Sequence, residues 1–256
     1  MKINGKTVAE EYDLEQWNVE MSYGEVTNES SWEPGCPVPI LLESEFGMKK
    51  IKLSMLAKGS SRGLIWEKCE KIIAELAKPA VLELEGFNHK YKVVITNAQQ
   101  VESSIKRFHK AVLELIGYEF GEHRTVTIKP GQNLWLENNG TVYAPLKITV
   151  NQNRQYEPKN TIYLYYIDDE ITGTSNSVMV GRFLFEGKTE RLMFDASNGK
   201  TEEKMVNEEK TTAGGLQKIE IFDIPRIKPG GMYFACKQSG GSADTTVTIE
   251  YEERYI

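Results

Sequence analysis

From Lys49 to Leu56 polar and apolar residues alternate, with Ile51, Leu53 and Met55 on one side and Lys50, Lys52 and Ser54 on the other. A period of two marks a strand with one buried face. The period then changes. Between Ser60 and Pro79, Leu64, Ile65, Cys69, Ile72, Ile73 and Leu76 recur at three- and four-residue steps, while Lys68, Glu70, Lys71 and Glu75 fill the opposite side. That spacing predicts one amphipathic helix, capped by Ser60 or Ser61 and stopped at Pro79. A strand over Val38–Glu45 precedes this pair. A hairpin follows it, over Val81–Glu85 and Lys90–Thr96, turning at Gly86-Phe87-Asn88. After a polar loop, Asn97–Ser104, comes a long strand. Phe108, Val112, Ile116 and Tyr118 face one way there, and His109, Ala111, Leu113 and Leu115 the other, which predicts burial on both faces. Val126–Ile128 extends that strand or pairs with it.

The texture then shifts. Pro130-Gly131 and Asn138-Asn139-Gly140 are close-set turn signals. They place a domain boundary near residue 133, dividing the chain into residues 1–133 and 134–256. Beyond it, short strand patterns recur between turns: Leu146–Val150, Thr161–Ile167, Val178–Phe185, Arg191–Phe194, Gln217–Phe222, Met232–Cys236 and Thr245–Tyr251. This spacing reads as a β-sandwich of jelly-roll type. The last two runs, joined by Gln238–Ser242, read as a hairpin that keeps strand pattern almost to the last residue. The fold class is therefore mainly β with one amphipathic helix: an α+β first domain and a β-sandwich second.

Composition narrows the function. Net charge is −6 and pI about 5.4, against a protein held on nucleic acid by phosphate contacts. Cys36, Cys69 and Cys236 are an odd set at wide spacings, suited to a reducing compartment rather than to a disulfide framework or a zinc site. The N-terminus has no apolar core of a signal peptide, and no run reaches the length of a membrane span. Synthesis in a cytoplasm, as a soluble chain, is the expectation.

The usual signatures of catalysis are missing. Gly5-Lys6-Thr7, Gly187-Lys188-Thr189 and Gly199-Lys200-Thr201 lack the earlier glycine of a phosphate loop, Arg182 and Phe194 standing at that position for the last two. His89, His109 and His123 show no zinc-pair spacing, and no nucleophile elbow exists. Cys69 falls on the helix's apolar stripe. Asp168-Asp169-Glu170, and Asp195 with Asn198, read as solvated turns without calcium-loop spacing. The reading is no catalytic, cofactor or metal residues and no enzyme. One ligand-like feature stands out: Trp135, Tyr143, Tyr156, Tyr163, Tyr165 and Tyr166 make the second half aromatic. Rings on a β-sandwich stack on sugars, although alternating aromatics also favour strands on their own account. In Thr161–Ile167, Tyr163 and Tyr165 share one face with Ile167, and Ile162, Leu164 and Tyr166 share the other, so at least one set is core.

The order of elements, with the segments Phe46–Ile95, Phe108–Phe120, Asn138–Val150 and Ile224–Ile256, resembles the distal tail protein (Dit) family of long-tailed phages. Ile224-Pro225, the Pro229-Gly230 turn, Met232–Cys236, Ser239–Ser242 and the tail Arg254-Tyr255-Ile256 follow that family's closing pattern. One departure is Gly117-Tyr118-Glu119-Phe120, where the family often has a Pro-aromatic pair. The resemblance implies a virion structural protein at the tail tip, a homohexameric ring with DNA passing its lumen. The ring-forming first domain would dock on the tail tube, with the tail-associated fibre or lysin protein on the other side. The galectin- or carbohydrate-module-like second domain would carry receptor-binding proteins or touch cell-wall glycans. It also implies that the long turn-rich stretch Met21–Pro39 is an inter-subunit or tube-facing loop, and that Tyr255 and Ile256 are ordered near the interdomain junction. The alternative is a carbohydrate-binding adaptor module.

Overall fold

The alternating run after Lys49 forms a strand at the heart of a sheet. The computed structural model describes residues 1–31, 40–58, 61–101, 108–153, 159–167, 177–208, 212–215, 217–240 and 244–256. They divide into two units, Met1–Gly121 with Tyr255–Ile256, and Glu122–Arg254. The Pro130-Gly131 turn lies in the second.

The first unit opens with β1 (Lys2–Ile3), β2 (Lys6–Thr7), α1 (Val8–Tyr12) and β3 (Leu14–Ser22). It continues with β4 (Val26–Ser31), β5 (Ile40–Phe46), β6 (Lys49–Lys58), α2 (Arg62–Leu76), β7 (Ala80–Glu83), β8 (Lys90–Val101) and β9 (Phe108–Ile128), whose residues from Glu122 on belong to the second unit. Its antiparallel sheet runs β3-β6-β9-β8-β7-β1-β2. Ile51, Leu53, Met55 and Ala57 of β6 and Ala111, Leu113 and Leu115 of β9 point to one core. Onto it α2 lays Ile65, Cys69, Ile72 and Leu76, a stripe at helical spacing. Each fully buried aliphatic there contributes about 1.5–3 kcal/mol. Ser61 caps the helix, its Oγ accepting from Leu64 N at 3.4 Å.

Four expectations change. A second helix, α1, buries Val8 and Tyr12; five residues are too few to show a period in sequence. Leu64 is half exposed rather than on the buried stripe. Asn97–Val101 is not loop but the end of β8, reached after an irregularity between Ile95 and Asn97 that shifts the register and hides the alternation. In the stretch Met21–Pro39, Met21–Ser22 closes β3 and Val26–Ser31 is β4, paired with β5 as a two-stranded sheet; residues 32–39, with Cys36, lie outside the described residues. At the base of this ribbon the two backbones nearly touch. A Cβ on Gly24 would lie 1.9 Å from the Gly47 carbonyl oxygen, so glycine is required. The expected two-sided burial of the long strand holds in part: Val112 is buried on the second face, but Ile116 and Tyr118 are only half-buried.

The second unit contains β10 (Asn133–Leu136), β11 (Ala144–Pro145), β12 (Lys147–Asn153), β13 (Asn160–Ile167), β14 (Ser177–Phe185), β15 (Thr189–Asp195) and β16 (Lys200–Met205). Then follow β17 (Thr212–Ala213), β18 (Ile219–Ile221), β19 (Arg226–Ile227), β20 (Met232–Ser239) and β21 (Asp244–Tyr255). One sheet has the order β10-β20-β13-β14-β18; the other places β12 between β15 and β21. Alternate residues of both sheets meet in one apolar cluster. Ile148, Val150, Leu192, Val247, Ile249 and Tyr251 come from one side, and Ile162, Leu164, Tyr166, Phe183, Phe185, Phe234 and Cys236 from the other. Two facing sheets are a β-sandwich core.

The closing pair is not a hairpin. β20 pairs with β10 and β13, whereas β21 pairs with β12 in the opposite sheet. Between them the chain changes sheets, and local turn chemistry cannot distinguish such a crossing from a hairpin turn. Strand structure does persist to Tyr255, and Tyr255–Ile256 group with the first unit.

Candidate functional site

Most of the sequence candidates serve structure. Lys6-Thr7 is a strand leading into the five-residue α1. Gly187 and Gly199 sit at positive φ in tight turns that open strands. Asp195 closes a turn by accepting from Ser197 N, Ser197 Oγ and Asn198 Nδ2. Cys69 and Cys236 are buried free thiols; burial raises both pKa values, that of Cys236 to about 12. Asp168, Asp169, Glu170 and Tyr156 lie outside the described residues. Among the described residues no three His, Cys, Asp or Glu groups gather as a metal site, and no helix is long and apolar enough to cross a membrane.

In the first unit a groove of about 540 Å³ is floored by Met21, Ile51, Leu115 and Ile116 and edged by Glu20, Lys50, Lys52 and Glu114. Its two hydroxyls donate to backbone, Ser22 to the Lys50 carbonyl and Thr96 to the Glu114 carbonyl. Neither is set beside a base as a nucleophile requires.

The same unit holds a buried charged cluster that sequence reading missed. Lys49 of β6 donates to Glu119 of β9, and His89 Nδ1, from the β7–β8 turn, lies 2.5 Å from the other carboxylate oxygen. Burial alone would raise the Glu119 pKa; the hydrogen bonds and charges of Lys49 and His89 outweigh it and leave the carboxyl below its usual value. Tyr91 is pushed up to about 12 by burial, then by the charge and hydrogen bond of Glu119. Tyr255 stacks on His89, with centroids 4.1 Å apart, and Lys49 lies 5.5 Å from the Tyr23 ring centroid. With both oxygens engaged, Glu119 is a clamp among three elements rather than a poised base. Lys49 and Glu119 are seventy residues apart, so no local signal marks the pair. His109 lies on β9 and His123 near Glu250 and Glu252, well apart in sequence and in strand register from His89.

In the second unit the outward face of the five-stranded sheet is the distinctive surface. Strand register sets its rows. Tyr163 stands between Arg182 and Lys237, Tyr165 between Met179 and Ala235, and Ile167 beside Tyr233, which pairs with Trp135. The Trp135 and Tyr233 rings are 4.9 Å apart, and Lys237 Nζ lies 5.1 Å from the Tyr165 centroid. Arg182 pairs with Glu220. The sequence reading therefore splits. Tyr163, Tyr165 and Trp135 share this face; Tyr166 is core, its hydroxyl accepting from Arg226 N; Tyr143 packs under Arg226 instead. Tyr233 was missed because Met232–Cys236 reads as a continuous apolar run.

No family model and no curated protein matches the sequence. Solved structures do match. The SPP1 Dit protein, described as a paradigm of the hub adsorption apparatus in phages infecting Gram-positive bacteria, aligns over 99% of this chain and 98% of its own, with TM-score 0.62 and 11% identity. A chain of the phage p2 baseplate aligns over 91% and 90%, with TM-score 0.48 and 8% identity. From one end to the other, the chain has the fold of the SPP1 Dit hub protein.

Proposed function

We propose that the protein is a structural hub of a phage tail tip. Six copies form a ring that joins the tail tube to the tail-associated fibre or lysin protein and to receptor-binding proteins. The first unit builds the ring; the second, a jelly-roll of galectin-like kind, faces outward. The observation that carries this reading is the fold match to SPP1 Dit over nearly the whole length of both chains. Trp17, Tyr23, Val26, Phe46, Met48 and Trp66 are exposed on the first unit and open to being covered by neighbouring copies. The polar, saturated site at Glu119 fits a scaffold rather than an enzyme. In a cyclic ring each copy presents two different patches to its neighbours.

Light scattering on a size-exclusion column, with negative-stain microscopy, tests this at micromolar concentration. Six-fold rings are expected, alone or on added tail tubes; a monomer that also fails to assemble on tubes would rule the reading out.

A further inference from the structure

We propose that the sandwich of the second unit binds ordered internal water at one end, where it bridges Gln152 of β12 and Asn160 of β13. Both amides point inward. Gln152 follows Ile148 and Val150 in strand alternation, Asn160 precedes Ile162 and Leu164 in the same way, and all four aliphatics are core. Gln152 is 1% exposed and Asn160 is fully buried. The topology sets the two face to face. β12 lies between β15 and β21 in one sheet, and β13 lies between β14 and β20 in the other. The chain crosses between the sheets from β12 to β13, from β14 to β15 and from β20 to β21, so matching strands are joined and β12 lies over β13. All three crossings are at one end: Gln152 pairs with Thr245 near the start of β21, Asn160 with Phe185 at the end of β14, and Thr161 with Ser239 at the end of β20.

The amides are the unsatisfied groups of that end. Neither the oxygen nor the NH2 group of Gln152 or of Asn160 has a hydrogen-bond partner among the described residues. Thr189, fully buried where β15 begins, is saturated by contrast: it donates to Glu203 and accepts from Lys218. A buried amide left unpaired is costly, and buried polar groups in folded chains are satisfied by protein or by ordered water. The chemistry of the pair selects the occupant. Each amide offers an acceptor and two donors. A cation would serve only the oxygens and an anion only the NH2 groups, whereas water serves both. The near-complete burial of both side chains favours an occupant as small as water. Such a bridge is directional, so it fixes the alignment of β12 over β13 at the end where the sheets exchange strands. The inference concerns the second unit alone and does not depend on ring assembly.

The test is a high-resolution crystal structure of the full chain, with calorimetric melts of the parent and three variants. Ordered water within hydrogen-bond distance of both amides is expected. Gln152→Leu and Asn160→Leu each remove one side of the bridge and should lower the melting midpoint by about 3–6 °C. Gln152→Leu combined with Asn160→Leu removes every polar atom of the pair and should recover most of that loss, with no water between the two leucines. The parent's midpoint should be the same in sodium, potassium and calcium chloride at equal ionic strength. The proposal is overturned if the crystal shows the amides bonded to each other or to protein with no water between them. A midpoint raised specifically by potassium or calcium would assign the site to a cation and overturn it as well. So would a double variant that loses as much as the two single variants together. If a variant fails to fold, the parent's crystal structure and its melts in the three salts still decide.

Discussion

The two units differ in where most of their aromatic residues stand, although Tyr12 and Tyr91 are buried in the first. In the first, Trp17, Tyr23, Phe46, Trp66 and Phe87 are exposed, on a bulge, two turns, a two-stranded ribbon and a helix, with no shared register. In the second, Phe183, Phe185 and Phe234 fill the core, while Trp135, Tyr163, Tyr165 and Tyr233 stand in rows fixed by strand pairing, with Tyr143 and Phe222 exposed off them. The reason is architectural. A helix laid on a sheet supplies its buried stripe from aliphatics such as Ile72 and Leu76 and leaves its large rings outside; two facing sheets must fill a gap of about 10 Å, and Phe does so.

The sharpest way to break this contrast is through the cores. Phe183→Ala removes a fully buried ring and should destabilise the second unit by about 3–5 kcal/mol. Calorimetry should show that loss, with fluorescence from Trp17 and Trp66 unchanged until a later transition. A single joint transition would mean that the units do not melt separately.

Next in size is the clamp. Glu119→Gln leaves Lys49 buried without its carboxylate and should cost about 3 kcal/mol in urea unfolding, whereas Lys49→Met with Glu119→Leu should recover most of it. Equal losses in the two variants would show that packing, not charge, holds β6 to β9. Acid sharpens the same point. Because the folded carboxyl titrates below its ordinary value of 4.5, its contribution is fully present above that pH and disappears as pH falls through the folded value. Stability measured below pH 4.5 should therefore fall more steeply in the parent than in the double apolar variant.

The smallest expected difference concerns the thiols. Cys69 borders a gap of about 50 Å³ beside Trp66 and Ile73, whereas Cys236 is 1% exposed within the sandwich. At pH 8 a thiol reagent should label Cys69 slowly in the folded chain and Cys236 only after unfolding. Equal rates would place the two cores on a par in packing.

Sequence reading recovered the features that rest on local rules. The α2 stripe follows from spacing, the β7–β8 hairpin from its turn, and the turns at Gly131 and Gly230 from a positive φ that glycine takes at no steric cost. What it missed is non-local or off-period. Asn97–Val101 lies beyond an irregularity in register, and Val26–Ser31, almost wholly exposed, has no buried face to alternate. The Lys49–Glu119 pair joins distant strands. For the outward face, five of the six aromatics named from sequence are described, but the row they form depends on which strands pair, and β20 brings Tyr233 and Lys237 into it from seventy residues away.

The pairing of β21 also sets a clock. Lys147 of β12 takes Glu250 as its partner, and Val150 takes Val247, so β12 waits for roughly a hundred further residues before that edge is satisfied. At about 5–20 residues per second, synthesis of that stretch takes on the order of 5–20 s, during which β12 presents an open strand edge. A chain stopped before Asp244 never closes it. Release of such a product into a crowded cell would make it a seed for aggregation rather than a weakened part, so the last dozen residues act as the commitment step of the whole second unit.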